Sequence, residues 1–140
     1  MSESRVLAET MLRLGCRDDM KIWRNNTGQA WQGDRVSLAP GMRLFDAYGR
    51  ILVTASGDVL IRNARPVNFG LPGSGDIAGI LAPDGRALYV ECKDGKGRQS
   101  ERQKNFMAMI RSMGGVYVLA RSADEAEAAI AEERKKTWER

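Results

Sequence analysis

Between Asp76 and Lys93 the chain carries two short apolar runs, Asp76 to Leu81 and Ala87 to Lys93, separated by Pro83-Asp84-Gly85-Arg86. Proline sets φ for one turn position and glycine tolerates the left-handed conformation of another, so the segment predicts two strands paired as a hairpin. The residues beyond Lys93 narrow the fold further. Phe106, Met107, Ile110 and Met113 fall on one face of a helix that begins near Ser100, Gly114-Gly115 ends it, and Val116 to Ala120 form another apolar strand. Ser122-Ala123-Asp124-Glu125 is a capping-box pattern opening a last helix that runs toward Lys135. A strand, helix, strand, helix ending places Val116 to Ala120 parallel to an earlier strand through a right-handed crossover. The expected class is therefore α/β, with a mixed central β-sheet flanked by helices.

The other segments constrain less. Leu7, Met11 and Leu14 recur at helical spacing between about Ser4 and Arg17, with Gly15 near the end. From Trp23 to Phe69 the chain is rich in Gly, Asn, Asp and Arg, and predicts irregular strands and loops. A length of 140 residues suits one domain, expected over residues 1–140. No apolar run is long enough to span a membrane and no secretory segment opens the chain, so a cytoplasmic location is expected.

Composition removes whole classes of chemistry. There is no histidine, and Cys16 and Cys92 are the only cysteines, which excludes the usual zinc sites and every histidine-based triad. Catalysis, if present, rests on carboxylates, lysines and a metal that prefers oxygen. The formal charge of +4 suits a polyanionic partner but decides nothing alone.

Residues two apart on a strand share a face, so Glu91 and Lys93 project together while Cys92 points away. Pairing through the Pro83 to Arg86 turn brings Asp76 level with Glu91. Two carboxylates converging beside one lysine call for a cation, and Mg²⁺ or Mn²⁺ is the implied cofactor. Such a set supplies what phosphodiester hydrolysis needs, an activated water and a charge clamp on the phosphate.

The plainer alternative makes Glu91 and Lys93 the solvated face of an edge strand and Asp76 a turn residue. Three features weigh against it. Gly73-Ser74-Gly75 precedes Asp76 and permits close backbone approach; Gln103 shares a helical face with Phe106, Met107 and Ile110; Glu9 sits beside Val6, Leu12 and Cys16 on the first helix. Gln103 also stands three residues after Ser100, where it completes a capping box, and both roles remain open. Arg24, Lys96, Arg98, Arg102 and Lys104 are candidate contacts to a DNA backbone, each with an ordinary solvated surface as its alternative.

Taken in order, Gly73-Ser74-Gly75-Asp76, Tyr89-Val90-Glu91-Cys92-Lys93 and Gly97-Arg98-Gln99-Ser100-Glu101-Arg102-Gln103, then Gly114-Gly115 and an apolar strand, resemble the VRR-NUC domain of the PD-(D/E)xK nuclease superfamily. The resemblance covers about half of the chain, from Gly73 to about Ala126. It implies a restriction-endonuclease-like core and a metal-dependent DNA endonuclease. Asp76 and Glu91 would be metal ligands with the Cys92 carbonyl completing the shell, Lys93 would polarise the water, Gln103 would brace the site, and Glu9 would be the further acid of the first helix. Trp23-Arg24-Asn25-Asn26-Thr27-Gly28 is similar to a stretch that shapes the substrate face. Standalone viral (phage) members imply a homodimer that cuts branched DNA such as four-way junctions, working in the host cytoplasm. The stretch from Gln29 to Phe69 is longer than a minimal domain needs. Two other readings stay open: a non-catalytic nucleic-acid-binding protein that retains the fold, and a nucleotide-binding protein using Gly70 to Gly79, which lacks the G-x-x-x-x-G-K-[ST] arrangement.

Overall fold

A computed structural model of the chain describes residues 1–136. The elements in order are α1 (Glu3–Gly15), β1 (Met20–Arg24), β2 (Gly28–Ser37), β3 (Arg43–Phe45), β4 (Ile51–Val53), β5 (Val59–Phe69), β6 (Ile77–Leu81), β7 (Arg86–Cys92), α2 (Glu101–Ser112), β8 (Val116–Ala120) and α3 (Ala123–Lys135). They form two compact units, one of residues 1–27 with 70–140 and one of Gly28–Phe69. The sequence predicts one domain; the second unit has its own strands and shares in neither hydrophobic cluster.

In the first unit a four-stranded sheet runs in the order β1-β6-β7-β8. The hairpin expected around Pro83 to Arg86 is present: β6 and β7 are antiparallel with Ile77 opposite Val90 and Leu81 opposite Arg86, and Gly85 takes the left-handed conformation at φ 74°. β8 lies parallel to β7, Leu88 opposite Val116, as the crossover through α2 requires. The sheet is mixed, within an α/β fold.

Alternation along β7 and β8 explains the layering. Leu88, Val90, Cys92, Val116, Val118 and Ala120 point to one face, where Val6, Leu7 and Leu14 of α1 and Ala126 and Ile130 of α3 bury them. Tyr89 and Tyr117 point to the other face and meet Phe106 and Ile110 of α2. The Tyr89 and Phe106 rings pack edge to face with centroids 5.0 Å apart. Helices thus cover both faces, each by the stripe its spacing dictates. Among the described residues, no helix is long and apolar enough to cross a membrane.

The second unit is built from hairpins. β2 pairs antiparallel with β5 over almost its whole length, with an irregularity between Gln32 and Asp34, and β3 pairs with β4. Where the sequence predicts irregular strands and loops, the backbone forms two long and two short strands, with Thr54 its one buried side chain among the described residues.

Candidate active site

The site grows from the start of β6. Gly73 and Gly75 both have positive φ, and both are crowded. A Cβ on Gly73 would lie 2.5 Å from the Arg102 carbonyl oxygen at the start of α2, and one on Gly75 would lie 3.0 Å from the Val90 carbonyl oxygen. Only glycine lets this loop press on the helix and on β7 together. Asp76 then joins the sheet, its N–H donating to Val90 O at 2.9 Å.

Asn25, at the end of β1, holds the loop from its other side. Its amide donates to Ser74 Oγ at 2.7 Å and to Gly75 O at 2.9 Å, while its backbone N–H donates to Asp76 O at 2.8 Å. The Tyr117 hydroxyl adds a bond to Gly73 O at 3.3 Å. Asp76 is fixed through its side chain as well, because Oδ2 accepts the Cys92 N–H at 2.8 Å.

Ile77 opposite Val90 puts Asp76 level with Glu91, on the face covered by α2. Glu91 is 3% exposed, a position where an unpartnered carboxylate is costly. Its Oε1 accepts from Lys93 Nζ at 2.6 Å and from Gln103 Nε2 at 2.5 Å. Gln103 meanwhile completes the capping box, its Oε1 accepting the Ser100 N–H at 2.8 Å. The cap fixes the amide orientation, and the orientation aims the NH₂ at Glu91; the two roles left open for Gln103 coexist.

Burial pushes the Glu91 carboxyl above its ordinary pKa against the pull of the Lys93 bond, and the Asp76 charge adds to the rise. Burial alone would lower Lys93, but the Glu91 bond and charge outweigh it, so the ammonium is held in its charged form. Cys92 behaves differently. Its thiol lies in the core on the α1 side, and burial pushes it up to about 12, which leaves it inert as a nucleophile.

Asp76, Glu91, Lys93 and Gln103 line a cleft of about 300 Å³ with Asn25 and the Gly73 to Gly75 loop, walled further by Arg24, Asn26 and Thr27. No apolar side chain lines it, so it suits charged and hydrated groups rather than an apolar ligand. One oxygen of Asp76 and one of Glu91 are committed to protein donors, which leaves the other oxygen of each without a protein partner among the described residues. Two hard carboxylate oxygens fit a Mg²⁺ or Mn²⁺ ion that keeps several waters. Among the described residues, no cluster of three or more His, Cys, Asp or Glu side chains is placed to hold a metal by itself.

Asp76, Glu91, Lys93 and Gln103 are thus brought together, and Arg24 reaches the same cleft. Cys92 enters through its backbone N–H and is not among the lining residues. Glu9 is placed elsewhere: it pairs with Arg5 at 2.8 Å on the outer side of α1 and does not line the cleft. The buried arc of that helix is Val6, Leu7, Thr10 and Leu14, and Leu12 and Cys16, its supposed neighbours, are exposed. Glu3 lines the cleft instead. It stands three residues before Val6 and four before Leu7, a spacing that marks it as the acid on that arc.

Lys96 and Arg98 lie on the loop after β7, which Asp94 turns by accepting the Lys96 and Gly97 N–H groups at 2.9 and 2.6 Å. Arg121 clamps the same loop through Asp94 O and Gly97 O at 2.7 and 2.9 Å, a role without a signal in the sequence. Arg102 and Lys104 are exposed on α2, and Lys104 is engaged with Glu101 at 3.1 Å. No protein-family model matches the chain, and no curated protein matches it.

Proposed function

We propose that the chain is a metal-dependent endonuclease that hydrolyses phosphodiester bonds in DNA, with structured or branched DNA such as four-way junctions as its substrate. The observation that carries this reading is the Glu91 carboxylate, buried beside Asp76 and gripped on one oxygen by Lys93 and Gln103 while the other is left open. The second oxygen takes no protein donor among the described residues and is not enclosed, so it opens to the cleft where a metal ion can reach it. The order helix, three strands, helix, strand in the first unit supports a restriction-endonuclease-like core, and the VRR-NUC resemblance of Gly73 to Ala126 supports the same chemistry.

Asp76 and Glu91 would hold Mg²⁺ or Mn²⁺, with the Cys92 carbonyl as a further oxygen donor. When bound, the ion supplies Lewis-acid stabilisation of the phosphate and lowers the pKa of water. Asp76 is presented by a backbone that Gly73, Gly75 and Asn25 hold from three directions. Lys93 spends one N–H on Glu91 and has two more to direct at a water or a phosphate oxygen. Gln103 keeps the Glu91 carboxylate from rotating. Glu3 takes the place read for Glu9 as the acid that the first helix adds to the cleft. Arg24, Lys96, Arg98 and Arg102 would meet phosphates, and a homodimer would present two sites to a two-fold symmetric junction.

The test is cleavage of labelled linear duplex and four-way-junction DNA in Mg²⁺, in Mn²⁺ and in chelator. Metal-dependent cleavage that both Asp76→Ala and Glu91→Ala abolish is expected. Cleavage retained in both variants, or binding without cleavage under every metal condition, would overturn the nuclease reading.

A further inference from the structure

The Gly28–Phe69 unit is a long two-stranded ribbon, β2 with β5, and a short hairpin, β3 with β4, whose side chains find no core of their own. Trp31 is 61% exposed, Phe45 71% and Tyr48 86%, and Ile51, Leu52, Val53, Val59 and Leu60 are exposed as well. Its charge is equally one-sided. The unit has five arginines and three aspartates, with no lysine and no glutamate.

All three carboxylates are occupied locally. Asp46 accepts the Tyr48 and Arg50 N–H groups at 2.8 and 2.9 Å and pairs with the Arg50 guanidinium at 2.6 Å. Asp58 accepts the Ala55 N–H at 2.7 Å. Asp34 lies across from Arg62 in register, yet its Oδ2 takes the Asn63 amide at 2.9 Å. Arg35, Arg43, Arg62 and Arg65 therefore carry guanidinium groups with no ion pair among the described residues, Arg65 being held only by the neutral Gln32.

Register gathers two of these charges, Arg62 and Arg65, on one face and sets Arg35 on the other. Gln32 and Asp34 are two apart and share a face, so their partners Arg65 and Arg62 stand on that face together, brought there by the irregularity at Gly33 and Asn63, where Asn63 adopts φ 52°. Trp31 and Arg35 share the opposite face. A ribbon of this kind is narrow enough for the roughly 12 Å major groove of B-DNA, and a strand the length of β5 spans about 35 Å, close to one helical turn.

From this arrangement we infer that the Gly28–Phe69 ribbon is a grip for duplex nucleic acid, with Arg35, Arg62 and Arg65 on phosphates and Trp31 as an aromatic contact. Guanidinium groups without carboxylate partners match a polyanion. A second copy of the ribbon would bring the same arginines against each other. The inference rests on DNA as the substrate and adds where the duplex is held.

Fluorescence anisotropy with a labelled linear duplex, in chelator so that no hydrolysis occurs, tests it on the full-length protein. The triple variant Arg35→Ala, Arg62→Ala, Arg65→Ala is expected to weaken binding at least about tenfold at moderate salt. It should also flatten the dependence of log K on log salt by about 2 to 3 units. The corresponding triple replacement by lysine keeps the charge and should retain the slope, which separates lost charge from lost fold. Wild-type affinity and slope in the alanine variant would overturn the inference while metal-dependent cleavage by the wild-type protein leaves the nuclease reading standing. A wild-type protein that neither binds nor cleaves duplex would overturn both. A dimer in sedimentation that Phe45→Asp dissociates, with duplex affinity unchanged in the alanine variant, would give the ribbon to a second copy instead.

Discussion

The two units hold their side chains by different means. In the first, Val6, Leu14, Ile77, Leu88, Val90 and Cys92 are wholly buried, and Asp76, Glu91 and Gln103 of the cleft are each fixed by two or more hydrogen bonds. In the second, the ladder of β2 and β5 is extensive, but the one buried side chain among the described residues is Thr54, whose hydroxyl donates to Ala39 O and accepts the Met42 N–H. Packing over-determines positions where chemistry needs them to within fractions of an ångström, whereas a ribbon held by backbone bonds presents side chains outward. On the reading proposed above, chemistry belongs to the first unit, and contact with the duplex to the second.

The difference can be broken most severely at the carboxylates. Asp76→Ala or Glu91→Ala is expected to reduce metal-dependent cleavage by about three orders of magnitude or more, measured under single turnover. Glycine substitutions sharpen the contrast. Gly73→Ala combines φ 82° with a Cβ 2.5 Å from a carbonyl oxygen and should lower unfolding free energy by about 3 kcal/mol. Gly49→Ala and Gly57→Ala, with φ 77° and 91° but open space around them, should cost only about 1 kcal/mol each. Urea unfolding curves decide this, and equal losses at all three positions would remove the distinction between the units.

Gln103 gives a smaller effect with an internal control. Gln103→Ala loses the cap and the Glu91 brace, and cleavage should fall by about 10 to 100-fold. Gln103→Glu keeps an acceptor for the Ser100 N–H but sets a carboxylate against Glu91, so helix stability should hold while cleavage still falls. Recovery of both properties in the glutamate variant would mean that the bond to Glu91 has no part in the chemistry.

The smallest effect is electrostatic. The Arg17 guanidinium beside Asp19 holds that carboxyl down at about 2, with Arg134 assisting. A depressed carboxyl stabilises the fold above its unfolded value of about 3.9 and loses that contribution as pH falls through about 2. Asp19 is about one-third exposed, so solvent screening keeps the gain small. Asp19→Asn should make stability less steep between pH 4 and 2, and an unchanged slope would remove Asp19 from the acid response.

Legibility in the sequence divides along the same line. Period-two alternation through Val90-Glu91-Cys92-Lys93 and the turn at Pro83 to Arg86 fix both the pairing and the facing of Asp76, Glu91 and Lys93, because local rules suffice there. Gln103 is visible through its spacing from Ser100. Glu9 is grouped with Leu12 and Cys16, which the fold leaves exposed; the arc of α1 that packs on the sheet runs through Val6, Leu7, Thr10 and Leu14, and Glu3, not Glu9, lies in line with it. Asn25 and Arg121 act on backbone carbonyls that tertiary structure brings to them, and sequence spacing carries no trace of such bonds. The ribbon is legible only as strands and loops, since strands exposed on both faces have no hydrophobic alternation to display.

Single-turnover cleavage of duplex DNA in Mg²⁺, followed as a function of protein concentration, tests the division of labour most directly when the Glu91→Ala protein and the Arg35→Ala, Arg62→Ala, Arg65→Ala protein are run beside the wild type. The expected result is that Glu91→Ala loses the rate at saturation, while the arginine variant reaches the wild-type rate at a concentration at least about tenfold higher. A Glu91→Ala protein that cleaves at the wild-type rate would contradict the assignment of chemistry to the first unit.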